Sequence, residues 1–101
     1  MRIDTLSELV SAFCRDYDRR EAMIKQDRCS KRVLTELRFI NYKILDAARE
    51  IAGEDAEIYI REIGNKKGFA SSEAEWIGES KYKTTKAQVT ANIAKKLHLA
   101  D

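Results

Sequence analysis

The stretch SKRVLTELRFINYKILDAAREIAG, Ser30 to Gly53, decides the fold. It reads as one helix of about six turns, opened by a serine of N-cap type and closed by a glycine of C′ type. Val33, Leu37, Ile40, Ile44, Ala47 and Ile51 recur at alternating steps of four and three, which lines one helix face. Leu34, Leu45, Ala48 and Ala52 form a second row beside it and widen the apolar arc to about 160°. An arc that wide touches more than one neighbour, so the segment is expected to be a central helix. Its opposite side carries Phe39 and Tyr42 among Thr35, Arg38, Asp46 and Arg49.

Working outward toward the N-terminus, Thr5 and Glu8 have capping-box spacing. Leu6, Leu9, Val10, Phe13, Cys14 and Tyr17 then make one stripe, resumed at Ile24 after a gap occupied by Arg20 and Glu21. Thr5 to Tyr17 is expected to dock firmly, and the charged part from Asp18 to Lys25 to project. The short connection Asp27-Arg28-Cys29 favours an antiparallel hairpin with the central helix.

Beyond Gly53, Glu54 and Asp55 put negative charge at the start of a third helix. The run EIYIREI also reads as a short strand, but Ile63 keeps the helical period and Glu62 breaks strand alternation, which favours helix. Gly64 to Gly68 reads as a loop. Ser72 with Glu75 opens a short helix carrying Trp76 and Ile77 and ending at Gly78. Glu79 to Thr84 reads as a polar connection containing Tyr82. Thr85 with Gln88 starts the last helix, which runs to about His98 and turns Val89, Ile93 and Leu97 inward. The expected fold is all-α: a single domain, residues 1–101, with about five helices bundled around residues 30–52 and a short helix-turn-helix-like pair at the C-terminus.

The whole chain has 101 residues, 44% of them apolar and 36% charged. That suffices for one core and excludes a low-complexity or disordered class. Nineteen basic and 17 acidic residues nearly cancel, so net charge points to neither nucleic acid nor membrane. Acidic residues outnumber basic ones by about two to one from Asp46 to Glu79, and the balance reverses after Ser80. No signal peptide is expected at the N-terminus, and no apolar run reaches the ~20 residues of a membrane helix. Cys14 and Cys29 have no metal spacing and read as free thiols, which favours a cytoplasmic location.

No cofactor, metal site or catalytic constellation is expected. The one histidine, His98, has no assignable acid or nucleophile and suits a helix C-terminus. Phosphate-binding, zinc and redox motifs are missing from the sequence. The segment GNKKG has no strand before it and no helix directly after it, so it reads as a solvated loop.

Two binding surfaces remain. Phe39 and Tyr42 with Arg38 and Arg49 have the composition of an interface centre, aromatic anchors ringed by arginine. They make a protein partner or a homodimer the leading expectation, with the chain acting as a regulator or inhibitor. The alternative is a DNA-binding regulator. SSEAEWIGES resembles the first helix and turn of a helix-turn-helix, and Thr85, Gln88, Asn92 and Lys95 follow on one face with side chains suited to base edges and phosphates. Against it stand the long connection from Gly78 to Thr85, Thr84 where that motif wants an aliphatic residue, and Glu73, Glu75 and Glu79 nearby. Size, charge density and helical make-up are also similar to those of small phage and mobile-element proteins, including inhibitors of host enzymes. No residue motif carries that likeness.

Overall fold

Ser30 caps the central helix as its type and position require: its side-chain oxygen accepts the Val33 backbone N–H at 3.3 Å. This is seen in a computed structural model that describes residues 3–66 and 78–99, with side chains from residue 5 onward in the first of these ranges. The elements are α1 (Ile3–Arg15), α2 (Tyr17–Gln26), α3 (Lys31–Ala52), α4 (Ala56–Gly64) and α5 (Glu79–Lys96), with a single 3₁₀ turn at Gly53–Asp55 between α3 and α4. No strand occurs among the described residues. Gly53 ends α3 at φ 57°, a conformation that favours a residue without Cβ, and its N–H bonds the Arg49 carbonyl.

The framework is not a set of about five comparable helices. Three longer ones, α1, α3 and α5, carry it, and α2 and α4 are short segments of 10 and 9 residues. The expected first helix is broken at Asp16 into α1 and α2. The two pieces go to different neighbours: α1 packs chiefly on α4, and α2 lies along α3. The charged α2 therefore does not project. Arg20, in the gap of the N-terminal stripe, is buried against α3.

At the other end, the expected polar connection from Glu79 to Thr84 is helix. α5 begins after Gly78, at φ 92°, six residues ahead of the expected start at Thr85. The reason is Tyr82, which is 1% exposed and belongs to the inner stripe with Val89 and Ile93. The second member of the helix-turn-helix-like pair lies within α5, which follows Gly78 directly with no polar connection before Thr85. The first member, the expected helix from Ser72 to Gly78, lies almost wholly outside the described residues. The run EIYIREI lies within α4, which settles it as helix.

The core joins Val10 and Cys14 of α1, Ile44, Ala47 and Ala48 of α3, Tyr59, Ile60 and Ile63 of α4, and Tyr82, Val89 and Ile93 of α5. Val33 and Ile51, expected on the inner row, are both 39% exposed. They stand at the two ends of a helix about 33 Å long, which outruns the helices packed on it. Where α4 meets α1, a Cβ on Gly64 would lie 2.6 Å from the Arg15 backbone nitrogen. Only glycine permits that approach, and Ser11 Oγ donates to the Ile63 carbonyl beside it at 2.9 Å. Cys14 sits at the same crossing, and burial pushes its thiol up to about 12.

Candidate functional site

Helix α3 packs against α5, α4 and α2, and its remaining arc faces outward. At 100° per residue that arc holds Thr35, Arg38, Phe39, Tyr42, Asp46 and Arg49. Phe39 is 60% exposed and Tyr42 65%. Arg38 and Arg49 are exposed as well. The i, i+3 spacing of Phe39 and Tyr42 makes their side chains neighbours, with Arg38 alongside. Arg49 follows about 10 Å further along the axis, where it lines a shallow hollow of about 580 Å³ with Gly53, Glu54, Glu57 and Arg61. The structure thus brings Arg38, Phe39 and Tyr42 together and sets Arg49 at the end of the same face.

The charges on this face are unequally occupied. Lys43 Nζ lies 5.3 Å from the centre of the Phe39 ring, a cation–π contact. Arg32 is 3.7 Å from Glu36. Lys96, from α5, reaches Glu50 at 3.1 Å and Asp46 at 3.8 Å. The hydrogen bond from Asn92, then that from Lys96, holds the Glu50 carboxyl below the usual carboxylate range, and Glu50 in turn raises the Lys96 ammonium. Among the described residues Arg38, Lys43 and Arg49 make no ion pair.

The four residues proposed for nucleic acid fare differently. Gln88 and Lys95 are exposed on α5. Asn92 is not available: its amide nitrogen donates to the Ala47 carbonyl and to Glu50 Oε2, both at 2.8 Å. Thr85 is half-buried inside α5. These side chains divide between holding α5 against its neighbours and facing solvent.

Three buried polar groups escaped the sequence reading as partners. Asn41 is 2% exposed, inside the apolar arc of α3. Its Oδ1 accepts from Arg20 Nε at 2.5 Å, and its Nδ2 donates to the Tyr17 carbonyl at 3.0 Å and to Glu21 Oε1 at 3.1 Å. Arg20 also donates to the Phe13 carbonyl, so it ties both sides of the α1–α2 break to α3. Glu62, 2% exposed, accepts the Tyr82 hydroxyl at 2.6 Å, and Tyr82 stacks on Tyr59. The signal for Arg20 and Asn41 was present: each interrupts an apolar pattern, and the two interruptions meet.

A second groove of about 690 Å³ runs between α1, the end of α4 and α5, floored by Leu6, Ile63 and Tyr82. On its rim Lys66 pairs with Glu8 and Lys83 with Glu79, so it gathers little unbalanced charge. No group of three or more His, Cys, Asp or Glu among the described residues is placed to hold a metal. No helix of the described residues is long and apolar enough to cross a membrane. No protein-family model matches the chain, and no curated protein or solved structure shows significant similarity to it.

Proposed function

We propose that this chain is a non-catalytic, cytoplasmic helical protein, folding as one domain, that acts as a regulator or inhibitor by binding another protein. The contact surface is the outer face of α3, with Phe39 and Tyr42 as anchors and Arg38 and Arg49 around them. One observation carries this reading: these two rings stand 60% and 65% in solvent, whereas Tyr59 and Tyr82 are each 1% exposed in the same molecule. Covering one such ring is worth ~2 kcal/mol, enough to matter in a complex. Free thiols at Cys14 and Cys29 support a reducing compartment.

The test is the double variant Phe39→Ala, Tyr42→Ala. Affinity capture from source lysate, with light scattering for self-association, should lose its partner with the variant. Thermal unfolding should stay within about 0.5 kcal/mol of the parent chain, as for surface substitutions generally. A large loss of stability with association intact would remove the proposal. Salt-sensitive binding of duplex DNA, lost on changing Gln88, Asn92 and Lys95 together, would replace it with the nucleic-acid reading.

A further inference from the structure

We infer that the partner of the α3 outer face is an acidic protein surface: an apolar patch or helix flanked by carboxylates, and not a second copy of this chain. The inference rests on that face being the contact surface, and it comes from which of its charges are already satisfied. Every carboxylate of α3 has a cation beside it: Glu36 has Arg32, and Asp46 and Glu50 share Lys96. Asn92 fixes Glu50 further. The lowered carboxyl of Glu50 and the raised ammonium of Lys96 agree with this mutual engagement. Beside the two rings, what is left over is of one sign. Arg38 makes no ion pair among the described residues, Lys43 lies over the Phe39 ring, and Arg49, also without an ion pair, shares its hollow with Glu54, Glu57 and Arg61.

Exposed rings bordered by uncompensated cations complement an apolar surface bordered by acids, where arginine forms paired hydrogen bonds with carboxylate. A second copy would bring the same leftover cations against these, and like charges across an interface are unfavourable. A nucleic-acid strand would also supply anions and bases to stack on. It is disfavoured because Glu36, Asp46 and Glu50 stand on the face, and because a convex helix surface offers no groove to track a phosphate backbone.

The experiment titrates the full, isotope-labelled chain by NMR with helical peptides of about 18 residues sharing one leucine stripe. Their flanking positions carry Glu, Gln or Lys, and a single-stranded oligothymidylate is a fourth probe. The expected result is movement of the amides from Arg38 to Arg49, with the Glu peptide binding about tenfold tighter than the Gln peptide and the Lys peptide weakest. That preference should shrink between about 50 and 500 mM salt, and Arg38→Glu with Arg49→Glu should turn it toward the Lys peptide. Equal binding of the Glu and Gln peptides overturns the acidic partner while leaving the protein-binding surface standing. If no peptide distinguishes the parent chain from Phe39→Ala, Tyr42→Ala, both fail. Tighter binding of the oligothymidylate than of the Glu peptide overturns the inference in favour of nucleic acid.

Discussion

Asn41 and Tyr42 are adjacent in the chain and have opposite fates. The amide is 2% exposed and the phenol ring 65%. A rule that sends polar groups out and rings in would place both wrongly. Inside, the amide is tolerated because each of its polar atoms has a partner supplied by α2. Outside, no neighbouring element among the described residues covers the ring, which stands mostly in water beside the similarly exposed Phe39. The inner irregularity is thus explained by contacts within the molecule, and the outer one asks for contacts beyond it.

The largest way to break this contrast is at the inner residue. Asn41→Ala leaves the Arg20 guanidinium and the Tyr17 carbonyl buried without their partner, and should cost about 2–3 kcal/mol in urea unfolding. The pair Arg20→Leu with Asn41→Leu should cost less than Asn41→Ala alone, because it removes the guanidinium together with its partner and leaves no buried charge without one. Next comes Tyr82→Phe, which withdraws the hydroxyl from buried Glu62. A loss of about 1–2 kcal/mol is expected by the same measurement, against almost none for ring removal at position 42.

The smallest effect lies at the edge of the outer face. Glu50 has its carboxyl lowered, so its contribution to folding is present above the ordinary carboxylate range and is lost as pH falls through the lowered value. NMR titration should find Glu50 below the usual range, and Asn92→Ala should move it back toward that range. A Glu50 that titrates normally in the parent chain would show that α5 does not engage this edge.

The sequence made the central helix legible at both ends, since serine capping, a terminal glycine and a 3–4 apolar period all refer to neighbouring residues. The outer face was legible for the same reason: helical period alone puts Phe39 and Tyr42 opposite Ile44. What failed depended on partners distant in the chain. The break at Asp16 follows from α1 choosing α4 while α2 follows α3, which no local pattern announces. Tyr82 reads as part of a connection because the capping-box spacing of Thr85 and Gln88 suggests a later start to the last helix. One turn on, the Lys86 ammonium lies 5.9 Å from the centre of the Tyr82 ring, and burial lowers it. Arg20 and Asn41 each read as a defect in its own helix, and only together do they form a joint.

Cys14 gives this molecule a clock. With its thiol pushed to about 12 and the α1–α4 crossing closed over it, it is almost never a thiolate at neutral pH. Cys29 is only half-buried, in the connection before α3. A thiol reagent will therefore mark Cys29 first. The second, slower label will count how often α1 lifts from the backbone of Gly64, reporting the breathing of one seam in an unaltered chain.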